Sequence, residues 1–340
     1  MKRKFAGILF TLLLVLSFCT FAATPVLAAD LNVYPGDSIQ AAIDGAADGD
    51  VIYVHEGTYT ENLLIDGVDV SLVAVGDVTI EGSTNSFSNK TIAIYNSTCT
   101  IDGFNVKYNG SAIYARGMAA NGEGPVYVTI VNNNVSDYIK NGITVNGELA
   151  TGSVMRNTVV SDADSVYAQN GIQFGYGATG QAHHNNVDND WYTGEDWTAS
   201  GILIFEADKV SVKNNHVSNC QTAIGVETWG WFYPSASGNT VVKNTIENAY
   251  WGVTVTAYAW DGYSTMDSFA NNNKVVNNLI TTVDGEIGVY VGAVDGSESF
   301  SSEADNNKVI NNKIAGFEED TYFEGDVATK FHANKQAPMP

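Results

Sequence analysis

Apolar residues fall in two short, recurring runs along most of this chain. One run alternates with period two behind a glycine: Gly142-Ile143-Thr144-Val145, Gly171-Ile172-Gln173-Phe174, Gly201-Ile202-Leu203-Ile204, Gly252-Val253-Thr254-Val255 and Gly288-Val289-Tyr290-Val291. The other surrounds an asparagine with an apolar residue three before it and another two after it, as in Val212-Lys213-Asn214-Asn215-His216-Val217. That asparagine returns as Asn133, Asn157, Asn185, Asn215, Asn244, Asn278 and Asn312, at intervals of 24 to 34 residues. Period-two runs read as strands, and a fixed phase between two of them reads as a stack of coils. The pattern therefore predicts an all-β fold, a right-handed single-stranded parallel β-helix (a solenoid).

Equivalent residues of such coils stack in rows about 4.8 Å apart. An Asn at the corner between two strands tolerates a left-handed backbone, and its amide can bond to the Asn above and below. Phe104 occupies the same slot one coil earlier, where an aromatic stack would take over from the amides. Asp37-Ser38-Ile39-Gln40-Ala41-Ala42-Ile43-Asp44-Gly45 reads as a short capping helix with Asp37 or Ser38 as its N-cap. A solenoid needs such a cap to cover the open end of its core.

The first 28 residues stand apart. Lys2, Arg3 and Lys4 precede an apolar run from Phe5 to about Ala23, and Val26-Leu27-Ala28 supplies the small-residue cleavage context of a secretory signal peptide. The predicted organisation is a signal peptide over 1–28, one β-helix domain over 29–325 and a tail over 326–340, in a protein that is secreted or held at the cell surface. Formal charge is −22, or −25 without Lys2, Arg3 and Lys4. That acidity argues against nucleic acid and anionic membranes as partners, and no later run is long and apolar enough to insert in a membrane. Cys99 and Cys220 fall about four coils apart, too far for a disulfide, so two unpaired thiols are expected.

From Pro35 to Glu61 the chain runs through Ser38-Ile39-Gln40-Ala41-Ala42-Ile43, Val51-Ile52-Tyr53-Val54 and Gly57-Thr58-Tyr59-Thr60-Glu61. This segment resembles the opening of pectin-lyase-like β-helix proteins, a superfamily that includes pectin methylesterases and NosD-like repeat proteins. The later Gly-Ile and Asn-x-Ile/Val repeats resemble the carbohydrate-binding and sugar-hydrolase repeats of the same superfamily. The resemblance implies the fold across most of residues 31 to 325, but it does not imply an activity. The methylesterase Gln-Asp and Asp-Phe pair, the polygalacturonase Asn-Thr-Asp, Asp-Asp and Gly-His-Gly set, and the Arg-x-Pro-x-x-Arg stretch of common pectate lyases have no counterpart here.

Four groups of residues are candidates for chemistry. Trp191, Tyr192, Trp197, Trp229, Trp231, Tyr233 and Trp260 lie in loops beside the Gly-Ile strands, where they either stack on sugar rings or fold back to cover the coils. Glu227 is outward on its strand with Glu206 one coil earlier, a diagonal pair suited to acid and base roles in glycoside hydrolysis. Arg156 and His184, with Lys243, His183 and Lys213 around them, form a basic row that could neutralise a uronate and remove its α-proton, as a lyase must. Asp162 and Asp190 stack in register, with Asp164, Asp188, Glu195 and Asp196 nearby, and calcium is the natural cation for such a set. No other cofactor is indicated. The reading is a secreted β-helix that binds extracellular polysaccharide as a non-catalytic surface or adhesive module. The alternative is a polysaccharide lyase or glycoside hydrolase working in a groove on the Gly-Ile sheet.

Overall fold

The computed structural model describes residues 28–83, 86–162, 165–324, 329–332 and 334–337. Residues 1–27 of the expected leader, together with Asp164, lie outside them. Each coil turns through three strands. The Gly-Ile run gives the first, as in Asn141–Asn146, Asn170–Gly175, Ser200–Phe205 and Thr222–Thr228. The second precedes the asparagine, as in Ala150–Met155, Thr179–His183 and Ser211–Lys213, and the third follows it, as in Thr158–Val160, Asn186–Asp188 and His216–Ser218. The strands pair in parallel with their equivalents in the next coil, 29 of them in one sheet, while Ser268–Phe269 and Ser302–Glu303 form a separate pair. The inward residues, such as Ile172, Phe174, Ile202, Ile204, Val212 and Val217, are wholly buried and stack into a single core. Parallel strands of this kind have nowhere to bury an apolar face except inside the coil.

The N-terminal end is capped as the sequence predicts. Helix Ile39–Asp44 buries Ile39 and Ile43 against the first coil. Ser38 is the N-cap, its Oγ accepting from the Ala41 N–H at 3.1 Å. Glu61 accepts from the N–H groups of Ile39 and Gln40 at 2.9 and 3.1 Å, so a carboxylate faces the helix start.

The asparagine row is a continuous amide ladder. Asn185 donates its Nδ2 to Asn215 Oδ1 at 2.9 Å, Asn215 to Asn244 at 3.0 Å, Asn244 to Asn278 at 3.0 Å and Asn278 to Asn312 at 3.0 Å. Each Oδ1 also accepts the backbone N–H of the Asn before it, and each Nδ2 also donates to a carbonyl, as Asn215 does to Ala182. Phe104 donates its backbone N–H to Asn133 Oδ1 at 3.0 Å, joining the row's upper end. One expectation is corrected here. The left-handed residue is the one before the ladder Asn: Asn132, Arg156, His184, Asn214, Lys243, Asn277 and Asn311 have φ between 53° and 59°. The bend is made by that residue, which swings its own side chain outward and turns the next one in.

A second ladder, Asn239, Asn273 and Asn307, lines another corner of the last coils through backbone N–H to Oδ1 bonds of 2.8 Å. The stack also runs past Glu324: Lys330–His332 pairs with Lys308–Ile310, and Lys335–Gln336 pairs with Lys313 and Ile314. Asn334 accepts from Asn312 as a further rung. Cys99 and Cys220 are both free and buried. No helix among the described residues is long and apolar enough to cross a membrane.

Candidate functional site

The outward face of the Gly-Ile strands is the floor of a groove of about 560 Å³. Parallel register builds that floor in columns. Gln173, Leu203, Gly225, Thr254 and Tyr290 follow one another down one column, and Gly175, Phe205, Glu227 and Thr256 down the next. Gln173, Leu203, Phe205, Glu227, Thr254 and Tyr290 all line the groove. These are the outward positions that strand alternation requires.

Aromatic side chains make the wall. Part of it comes from the segment before Ser200, which carries Tyr192 and Trp197. Trp229 and Trp231 after Thr228, and Trp260 at the end of strand Trp251–Trp260, come from the other edge of the sheet and join Trp197 in a single aromatic wall. Tyr258 and Trp260 sit on this continuous strand and not in a loop, paired with Val294 and Gly296. Ring centroids lie 5.5 Å apart for Trp197 and Trp229, 5.8 Å for Trp197 and Trp231, 4.9 Å for Trp229 and Tyr258, and 5.2 Å for Trp229 and Trp260. Trp229 is the hub, half-buried among its neighbours, while Trp197 and Trp260 keep 41% and 36% of their surface exposed. The rings therefore brace one another and still offer surface to the groove.

The loop that presents Trp229 and Trp231 is held from below. Glu206 is fully buried, and its carboxylate accepts the backbone N–H groups of Trp231 at 2.6 Å, Phe232 at 3.0 Å and Tyr233 at 3.1 Å. Burial pushes its carboxyl above the usual range, while these N–H groups pull it back. Gly230 has φ +61°, and a Cβ there would meet the Met266 carbonyl at 2.3 Å, so only glycine fits this turn. Ser264 Oγ donates to the Trp229 carbonyl at 2.7 Å and accepts the Trp260 N–H at 2.9 Å, tying the two aromatic segments together.

The expected carboxylate pair is thus divided. Glu227 lines the groove, half-buried, and Thr254 Oγ1 donates to it at 3.0 Å. Burial raises its pKa and the Thr254 bond opposes the rise. Glu206 is turned away beneath the loop: Leu203 and Phe205 are the outward residues of its strand, so the next residue falls off the groove floor, where the strand ends and the backbone turns left-handed (φ 51°). Trp191 and Tyr233 do not line the groove either, and the Tyr233 hydroxyl donates to Glu148.

Arg156 and His184 stand at the Asn corner, and neither lines the groove. Arg156 Nε donates to Asn132 at 3.0 Å, and His184 faces His183 at 3.0 Å. The structure also separates Asp162 from Asp190. Asp162 is exposed, whereas Asp190 is sealed in the core, where Tyr138 donates to its Oδ1 at 2.7 Å. Among the described residues no cluster of three or more His, Cys, Asp or Glu could hold a metal ion.

Several groove residues lie outside the loops that the sequence reading singled out. Trp251 precedes Gly252 at the start of its strand and donates Nε1 to Glu286 at 2.8 Å. Tyr176 follows Gly175 at the other edge, where burial pushes its hydroxyl up to about 12. Lys140 stands just before the strand starting at Asn141, with Nζ bonded to the Ala168 carbonyl, and burial lowers its pKa to about 8 against the pull of Asp190. The available cue was their place beside the Gly-Ile strands.

No family model matches the chain, and no curated protein is significantly similar to it. Solved structures do match. The polygalacturonase from Erwinia carotovora ssp. carotovora superposes with a TM-score of 0.59 at 11% identity, over 92% of this chain and 95% of that one. The complex of XylC with xylose superposes with a TM-score of 0.54, also at 11% identity, over 88% and 86%. The fold is a right-handed parallel β-helix. At this identity the likeness speaks for architecture alone.

Proposed function

We propose that this groove binds a segment of an extracellular polysaccharide, and that the protein is an exported, non-catalytic glycan-binding module. The observation that carries the reading is the pairing of an aromatic wall (Trp197, Trp229, Trp231, Trp260) with a polar floor (Asn170, Gln173, Glu227, Thr254) in one open cleft. Indole faces match the C–H faces of sugar rings, and amide, hydroxyl and carboxylate groups match their hydroxyls. The cleft volume lies within the range of about 300–1,000 Å³ usual for small-ligand sites. The match to the polygalacturonase and to the xylose complex supports a sugar as the ligand class. The leader-like first 28 residues support export to where such polymers occur.

Binding is favoured over hydrolysis because Glu206, the expected partner of Glu227, spends its carboxylate on three loop amides, and the other lining carboxylates, Glu195 and Asp196, are exposed side chains of the segment before Ser200. One observation keeps a catalytic reading in play. Glu227 faces the groove with a raised pKa, as a proton donor would. Incubation with a panel of polysaccharides, read both for binding and for new reducing or unsaturated ends, separates the two. Saturable binding with no new ends is expected. New ends that vanish in Glu227→Gln would establish catalysis, and absence of binding to every polymer would end the glycan reading.

A further inference from the structure

The wall and floor of the groove are unevenly charged. Its lining carries three carboxylates, Glu195 and Asp196 on the rim and Glu227 on the floor, against one cation, Lys140. Lys140 is already committed to the Ala168 carbonyl and lies near the buried Asp190. The two described arginines are elsewhere. Arg156 is at the Asn corner, bonded to Asn132. Arg116 shares the groove's sheet, in register with Asn146, Gly175, Phe205 and then Glu227, which puts it four coils, or roughly 19 Å, away. There it is closed in a two-pronged pair with Glu123, with its guanidinium 5.3 Å from the centre of the Tyr95 ring. Lys90, three coils before Asn170 on the same sheet, donates Nζ to the Ser88 carbonyl at 2.9 Å, so among the described residues that line the groove Lys140 is the one cation and it is already engaged.

Resting on the glycan-binding reading above, we infer that the groove selects an uncharged polysaccharide and rejects uronate polymers. A uronate presents one carboxylate per residue, and each would enter beside Glu227, Glu195 or Asp196 without a counter-charge. Bringing like charges together in a partly desolvated cleft is repulsive, and a desolvated carboxylate without a donor or cation adds to the penalty. A neutral hexose or pentose carries no such penalty. Its hydroxyls can pair with Gln173, Asn170, Thr254 and Glu227, and its apolar faces with the indoles. The charge of the whole chain, −22, works in the same direction at long range.

The test uses the full chain and matched polymers that differ in oxidation at C6: galactan beside polygalacturonate, mannan beside mannuronate-rich alginate, and glucan beside glucuronan, with chitosan as a cationic control. One neutral member should bind at least about tenfold more tightly than its uronate partner, the factor expected from one uncompensated charge in a half-buried site. Its affinity should change by less than about twofold between about 0.01 and 0.15 M salt, across which the screening length falls from about 30 to 8 Å. In Glu195→Lys/Asp196→Lys the gap between the paired polymers should narrow several-fold, a change that a purely structural role for these exposed residues would not produce. Preference for a uronate polymer, or for chitosan, would overturn the inference and leave glycan binding standing. Binding to none of them would overturn both.

Discussion

If the indoles form a binding wall, Trp197 and Trp229 should fail in different ways. Trp197 keeps 41% of its surface exposed. A Trp side chain has about 250 Å² to bury, so roughly 100 Å² of Trp197 is available, and a stacked sugar covers about half to three-quarters of that. At about 25 cal/mol per Å² this is worth about 1–2 kcal/mol, or roughly a fivefold to thirtyfold loss of affinity in Trp197→Ala. The same substitution should lower stability by only about 1–2 kcal/mol, because the ring sits at the edge of its cluster. Trp229 instead packs against Trp197, Trp231, Tyr258, Trp260 and Tyr263. Trp229→Ala should leave a void at the hub and cost about 3–5 kcal/mol of stability, besides weakening binding. Calorimetric titration with the preferred glycan and denaturant unfolding measure both quantities. If Trp197→Ala binds with full affinity while destabilising as much as Trp229→Ala, the wall only covers the coils, and the argument from exposed ring faces is wrong.

Three further outcomes follow from particular contacts. Asn215→Leu strips the acceptor from the Asn185 backbone N–H and the donor from the Ala182 carbonyl, both in the core, and should cost about 2–5 kcal/mol by denaturant unfolding; a loss below about 0.5 kcal/mol would deny the ladder a structural role. Glu206→Ala should raise hydrogen exchange at the Trp231, Phe232 and Tyr233 amides and cost about 2–4 kcal/mol, with partial recovery in Glu206→Gln; unchanged exchange at those amides would refute the loop-anchor assignment. Asp190 has its pKa raised first by burial and then by Asp188, against Tyr138 and Lys140, so the folded chain holds this proton to higher pH than the unfolded chain does. Its contribution is therefore fully present below about pH 4 and is lost as pH climbs towards the folded value. Asp190→Asn keeps an acceptor for Tyr138 and should gain stability relative to the parent as pH rises from about 4, whereas parallel melting profiles for the two proteins would contradict this.

The parts of this molecule that sequence reasoning reaches are those that the solenoid repeats. A coil cannot drop its inward Ile or Val without opening the core, so the Gly-Ile phase and the ladder Asn are printed at every turn. The location of the bend was hidden by duplication. Asn132-Asn133, Asn214-Asn215, Asn277-Asn278 and Asn311-Asn312 each supply two asparagines, one for the left-handed position and one for the ladder. Only the coils with Arg156, His184 or Lys243 at the first position tell the two apart. The same duplication, as Asn272-Asn273 and Asn306-Asn307, masked the second ladder, although its members stand five residues before ladder members 244, 278 and 312. The site was legible in composition and misread in phase. Phe205 pairs with Glu227 and is the outward residue beside it, so Glu206 falls one residue past the strand and off the groove floor. Alternation counted from that register would have excluded Glu206 from the groove, but not shown that it holds the loop, because the loop's own path sets those contacts.

The spacing of the ladder shows why the groove can vary while the fold does not. Successive rungs are separated by 24, 28, 30, 29, 34 and 34 residues, yet each rung bonds to the next at 2.9–3.1 Å. Extra residues must leave the coil between rungs, and several of the departures carry the groove wall, before Ser200 and after Thr228. Closing a longer loop costs only about 0.6 kcal/mol for each doubling of its length, whereas a broken rung orphans buried polar groups at about 1–3 kcal/mol each. Insertions beside the Gly-Ile strands are therefore cheap, and changes at the corners are expensive. A chain under these two costs keeps its coils in register and varies its rim. The match to known β-helices, with TM-scores of 0.54 and 0.59 at 11% identity, fits that division, because architecture is shared where most residues differ. What this groove recognises must accordingly be argued from its own aromatic and acidic lining.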